Sequence, residues 1–185
     1  MIGRILKRPL PYIISLIIVD QLIKIIIAGR YMNLSKDIIK GLVAFHPIIN
    51  SHYSWLNSLF RMGIGLTTHI LFNILVILFT GLLYLYIKRK YPRDTFTFWL
   101  FTFLFAGLLC SLIDKLFRGG SLDYIWLKGL FIFDLKDVYL IVFEVLLIWA
   151  FLFNYKGFRD VKCSRLLADL GRFIKTEIRA RQKRK

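Results

Sequence analysis

Four stretches of this chain stay apolar long enough to cross a lipid bilayer, which takes about 20 residues for about 30 Å of hydrocarbon. They run from Leu10 to Gly29, Ile64 to Ile87, Thr95 to Leu116 and Leu135 to Asn154. The polar positions between them are unevenly charged. Arg4, Lys7 and Arg8 precede the first stretch, Lys88, Arg89, Lys90 and Arg93 join the second to the third, and the chain after Asn154 is densely basic. Because basic residues stay on the cytoplasmic side, both termini are expected there, with the segments Arg30 to Gly63 and Phe117 to Asp134 facing outward. The pattern thus predicts an all-α membrane protein of four transmembrane helices over residues 1–154, followed by a basic cytoplasmic tail, 155–185. The first apolar stretch runs on through Asp20 and Lys24 without a convincing small-residue cleavage site, so it reads as a permanent helix rather than a removable leader. The outward segment after it is broken by Gly41, Pro47 and Asn50. Short strands or a surface helix, forming a small extracytoplasmic cradle between the first and second helices, suit that punctuation.

Composition agrees with the pattern and narrows the partners. Hydrophobic residues make up 57% of the 185 and the mean hydropathy is +0.61, above the roughly 45–50% apolar share of soluble domains. The net charge of +16 gathers beside apolar stretches, which sets topology and argues against nucleic acid as a partner. Cys110 lies in an apolar run and Cys163 in the tail, so a bridge would have to join different compartments and both read as free thiols. His46 and His52 lack a third ligand at metal spacing, and His69, alone in the second stretch, reads as a packing residue. No metal site is expected. The tail mixes Leu166, Leu167, Leu170, Phe173, Ile174 and Ile178 with Lys and Arg. That suits an amphipathic helix on anionic lipid, although a plain topology anchor explains it as well and is preferred.

The chemistry concentrates between Ser111 and Asp137. Asp114, Asp123, Asp134 and Asp137 lie there beside apolar and aromatic residues, where charge is costly and so is usually functional. Two carboxylates brought together cannot both stay ionised, and a pair sharing a proton can activate water and protonate a leaving group. Ser111 and Asp114 share a helix face, Lys115 adjoins the acid, and Gly119 with Gly120 permits a tight reversal. Helix capping is the plainer reading of Asp134, and explains Asp137 less well because that residue falls about one turn inside the helix. Asp20 and Lys24, four apart in the first helix, can neutralise each other. They read either as a structural ion pair or as an anchor for a headgroup or for the neighbouring acidic loop. Glu144 is a further acid on nearly the same face as Asp137.

Taken in order, these residues resemble the type II, or lipoprotein, signal peptidases, a family of four-helix bacterial membrane aspartyl proteases. The likeness covers roughly Leu10 to Asn154. The family's Asp-Gln, two residues, then Lys is met by Asp20, Gln21 and Lys24, and its asparagine in the first outward segment by Asn50. Asp114 and Lys115 fall on the Asp-Arg that closes its third-helix motif, and Leu122, Asp123 and Tyr124 on its Val-Asp-Phe turn. Phe133, Asp134, Leu135, Lys136 and Asp137 align with the Phe-Asn, one residue, Ala-Asp that opens the fourth helix. There are departures: Cys110 and Ser111 stand for Gly-Asn, Lys115 for arginine, Asp134 for asparagine, Lys136 for alanine and His52 for glycine. A lysine does not reproduce the planar fork of arginine. An added carboxylate at Asp134 favours protonation of the neighbouring pair unless Lys136 or Lys115 balances it.

The resemblance implies that Asp123 and Asp137 are the catalytic pair, with Asp20, Lys24, Asn50, Ser111, Asp114, Lys115 and Asp134 binding substrate or supporting the site. It implies a bacterial cytoplasmic membrane protein that needs no metal or organic cofactor and works at the outer face. The substrate implied is a prolipoprotein carrying a diacylglyceryl group on its cysteine, cut just before that residue. Altered support residues leave open a non-catalytic paralogue that binds lipoproteins or signal peptides. A small transporter using Asp20, Asp114 and Glu144 lacks the inverted repeats and broken helices such proteins show. A membrane-surface binding module would rest on the tail alone.

Overall fold

The structure is a computed structural model that describes residues 5, 7–153, 155 and 168–176, without the side chains of 55 and 56. Its elements in chain order are α1 (Leu10–Arg30), β1 (Lys36–Ile39), β2 (Val43–Asn50), α2 (Trp55–Leu59), α3 (Leu66–Lys90), α4 (Thr95–Arg118), β3 (Ser121–Leu127), β4 (Ile132–Phe133) and α5 (Leu135–Leu152). Residues 168–176 form a further short helix.

Local chemistry sets the helix ends. Asp94 caps α4 by accepting from the Phe96 N–H at 3.0 Å and from the Thr97 hydroxyl, and Gly119 ends that helix with φ of 65°, the left-handed conformation glycine adopts without strain. The last turn of α3 carries Lys88, Arg89 and Lys90, cations that suit the negative end of a helix dipole. Helices α1, α3 and α4 are each long and apolar enough to cross a membrane. Helix α5 is apolar too, yet its 18 residues include Lys136, Asp137 and Glu144. Their outer faces are apolar and exposed: Ile25, Leu75, Leu78, Phe117 and Val145 are all more than half exposed. Such faces belong in lipid, and the chain is a multi-pass membrane protein.

The helices alternate in direction. Tyr12 near the start of α1 stacks edge-on with Phe98 and Trp99 at the start of α4, while Tyr155, just beyond α5, packs on Phe96 and donates to Asp94. Tyr84, Ile87, Leu100 and Phe101 form the apolar core at that end. In the middle, Ala106, Cys110 and Tyr139 pack against Leu16 and Ile17 of α1. The opposite end holds the C-terminal halves of α1 and α4 and the first turn of α5, capped by a sheet.

That sheet corrects the all-α expectation. Four antiparallel strands run in the order β1-β2-β3-β4, and β3 and β4 lie in the segment that sequence assigned only a turn. Strands β1 and β2, between α1 and α3, agree with the short strands expected there. Strand β2 pairs with β3 through Asn50 opposite Ser121 and Ile48 opposite Asp123, with an irregularity between Phe45 and Ile48. Pro47 sits in that gap, where a residue without an N–H cannot extend the ladder. Ile27, Leu122 and Tyr124 seal the sheet onto α1. The helix bounds shift by a few residues, α3 to 66–90 and α4 to 118. In the tail, Leu170 is buried and Phe173 packs on Tyr86 and beneath Arg89, while Cys163, Leu166, Leu167 and Ile178 fall outside the described residues.

A single glycine joins sheet and helices. A Cβ on Gly120 would lie 2.8 Å from the Asn50 carbonyl oxygen and 3.0 Å from Ile49 Cγ2, so the backbone of β2 would have to shift. Gly120→Ala is expected to destabilise the protein by about 1–3 kcal/mol, the usual range for overpacking. Thermal unfolding in detergent measures this; an unchanged midpoint would show that β2 is free to shift.

Candidate active site

Five aspartates meet at the sheet-capped end of the bundle, held by two lysine hubs. The first hub is Lys24, whose Nζ lies 2.9 Å from Asp20, 2.6 Å from Asp114 and 2.6 Å from Asp134. All four side chains are wholly buried. The second is Lys136, whose Nζ lies 2.8 Å from Asp134 and 3.4 Å from both Asp123 and Asp137. Asp134 belongs to both hubs. Burial opposes its ionisation, but Lys136 and Lys24 together hold its carboxyl below the usual carboxylate range. Buried ions persist only when paired, because each loses several kcal/mol of hydration.

Backbone and side chains then orient each acid. Asp114 also accepts from Arg118 at 2.9 Å and from Gln21 at 3.3 Å, and Arg118 donates to Gln21 at 2.7 Å. Asp123, on β3, accepts from the Ser121 hydroxyl at 2.6 Å through Oδ1 and from the Asn50 amide at 3.0 Å through Oδ2. Lys136 donates to the same Ser121 hydroxyl at 2.6 Å. Asp134 and Asp137 form a reciprocal capping box: each accepts the other's backbone N–H at 3.2 Å. Capping therefore explains Asp137 better than its position suggested.

A cleft of about 940 Å³ opens beside this cluster. Asn50, Ser111, Lys115, Asp123, Lys136 and Asp137 line it, as do the apolar Phe72, Val76, Leu108 and Leu140. Asp20, Lys24, Asp114 and Asp134 are not on its wall. Asp137 is 34% exposed and Asp123 only 4%. One carboxylate oxygen from each of Asp123, Asp134 and Asp137 lies within 4.8 Å of the others, close enough to share a cation. The ammonium of Lys136 fills that role.

The structure thus brings Asp123 and Asp137 together on the cleft, with Asn50 bonded to one of them, and gathers Asp20, Lys24, Asp114 and Asp134 behind them. It differs at Lys115, which aligns with the family's arginine. Its Nζ donates to Ser111 Oγ at 2.5 Å, and Asp114 takes its guanidinium partner from Arg118, one turn later. The spacing of four from Asp114 to Arg118 marks that pair on a helix, and Ser121, two before Asp123 on a strand, shares its face. The reach of Lys24 across three elements has no signal in spacing. Glu144 lies on the cleft wall but is exposed, and His69 meets the Ser54 hydroxyl and the Gly65 carbonyl.

The chain belongs to the signal peptidase (SPase) II family, whose model matches residues 12–153. Two solved structures resemble it, each described as a bacterial membrane enzyme determined by the in meso method. The one at 2.3 Å resolution is 22% identical, with a TM-score of 0.64 over 80% of this chain and 90% of that one. The one at 1.9 Å resolution is also 22% identical, with a TM-score of 0.63 over 78% of this chain and 92% of that one. The fold is shared with them. No curated protein sequence matches the chain.

The Lys24 hub sets a stability prediction. Lys24→Met leaves Asp20, Asp114 and Asp134 without their common cation and is expected to cost about 3–5 kcal/mol, as when one partner of a buried ion pair is removed. Adding Asp134→Asn should recover part of that loss, since one stranded carboxylate goes. Unfolding of both variants in detergent checks this; additive losses would show that Lys24 and Asp134 are not coupled.

Proposed function

We propose that this member of the signal peptidase II family is an aspartyl endopeptidase that removes the signal peptide from diacylglyceryl-modified prolipoproteins, cutting before the lipidated cysteine. The observation that carries the reading is the convergence of Asp123 from β3 and Asp137 from α5 on one cleft wall. One carboxylate takes a proton from water, the water oxygen attacks the scissile carbonyl, and the other carboxyl protonates the carbonyl oxygen. Collapse of the tetrahedral intermediate returns a proton to the departing cysteine nitrogen, and no covalent enzyme intermediate forms. Helix α5 is the fourth span, residues 1–154 are the peptidase domain, and both termini are cytoplasmic in a bacterial inner membrane. The acids then sit at the outer face, where diacylglyceryl chains stay in hydrocarbon while the peptide bond reaches the pair. Apolar lining by Phe72, Val76, Leu108 and Leu140 suits lipidated substrate. The basic tail, 155–185, anchors this topology at the cytoplasmic face.

One observation favours a second reading, a paralogue that binds lipoproteins or signal peptides without cutting them. Lys136 places an ammonium 3.4 Å from both aspartates. The deciding experiment incubates purified protein with a diacylglyceryl-modified prolipoprotein in lipid. Cleavage is expected, and Asp123→Asn or Asp137→Asn should each lower it at least about 100-fold, the smaller end of what a general acid or base contributes. No cleavage by folded wild-type protein across several lipobox sequences would hand the case to the binding paralogue.

A further inference from the structure

Resting on the reading of Asp123 and Asp137 as the reacting pair, one asymmetry of this chain assigns their roles. Asp123 is saturated with donors. Its Oδ1 accepts from Ser121 at 2.6 Å and faces Lys136 at 3.4 Å, and its Oδ2 accepts from Asn50 at 3.0 Å. Ser121 is itself held by Lys136 at 2.6 Å, and a lysine ammonium has no lone pair to accept its proton. Of the two carboxylates in reach, Asp123 at 2.6 Å is much nearer than Asp114 at 3.5 Å, so the proton goes to Asp123. Donors at both oxygens favour the ionised carboxylate. Asp137 is different. Its Oδ2 accepts one backbone N–H at 3.2 Å, and among the described residues its Oδ1 has only the 3.4 Å ion-pair contact to Lys136, with a third of the side chain exposed.

We propose that Lys136, acting through Ser121, is a positioning residue that fixes Asp123 as the carboxylate and leaves the shared proton on Asp137. Asp123 is then the base for water and Asp137 the acid toward the carbonyl. The other charges facing the pair fit this assignment. Lys115, from α4, is bonded to Ser111. Asp20, Asp114 and Asp134 are ion-paired with Lys24, and Arg118 is bonded to Asp114 and Gln21. Arg61, His52, His69 and Glu144 lie elsewhere on the cleft wall, and among the described residues none of them pairs with Asp137. Lys136 also draws protons away from the pair as a whole, because an opposite charge this close favours both carboxylates.

The test is a proton titration that does not depend on turnover. The full chain, labelled with 13C at aspartate Cγ and held in lipid nanodiscs, is titrated by NMR, the two resonances being assigned by their loss in Asp123→Asn and Asp137→Asn. Asp137 is expected to carry the step at higher pH. Lys136→Ala should move that upper step about 1–3 pH units higher and spread it over both residues, while Lys136→Arg keeps it near the wild-type position. An upper step carried by Asp123, or one that Lys136→Ala leaves in place, overturns the proposal. Failure of the peptidase reading looks different: the pair would titrate as stated and lipidated substrate would remain uncut.

Discussion

The contact of Lys24 with three buried carboxylates is the interaction on which the arrangement depends. It joins α1 to α4 through Asp114 and to the cap of α5 through Asp134, with 2.6 Å on each side. In lipid the apolar faces of helices gain little by meeting one another, so polar contacts and close packing specify which helices touch. The outer faces of α1 and α3 carry bare isoleucine, leucine and phenylalanine that would suit several bundles equally. A buried ammonium does not have that freedom. Only one rotation of each helix brings Asp20, Asp114 and Asp134 to the same nitrogen, and that rotation also turns Asp137 toward the cleft.

Much of this was legible from spacing, and the remainder was not for identifiable reasons. The long apolar stretches specify helices because no other backbone satisfies its own polar groups in hydrocarbon. Gly41 and Pro47 mark interrupted strands, the first by its positive φ and the second by the N–H it lacks. The strand character of Ser121–Leu127 was missed because it comes from pairing with β2, some 70 residues away in sequence by the Asn50 and Asp123 separation, and local pattern carries no trace of that. The same holds for Lys24. Its spacing to Asp20 is visible, but the two carboxylates that complete the hub arrive from α4 and from the turn before α5.

The departures from the family pattern make sense as a matched set. Asp134 adds a negative charge behind the pair and Lys136 adds a positive one beside it, and the two meet at 2.8 Å. Either change alone would add a net charge to the site, although Asp134 would keep Lys24 as a partner and Lys136 would keep Asp123 and Asp137. Together they leave the formal charge of the site as it was. Arg118 supplies the guanidinium that Lys115 does not, from the next turn of the same helix. These substitutions therefore alter the support of the site while conserving its charge.

Asp137 raises the question of whether a capping residue can also be a reacting one. Its two oxygens separate the tasks. Oδ2 takes the Asp134 N–H and completes the capping box, while Oδ1 is turned toward Lys136. A cap of this kind stabilises a helix by about 1 kcal/mol, a modest gain, but it also fixes the side-chain rotamer. Productive geometry has to be held within about 0.5 Å, and a carboxylate anchored by one oxygen to its own helix start meets that demand without further support. The plain structural reading of Asp137 is thus compatible with the chemical one proposed for it, since one hydrogen bond to its own helix start would serve both.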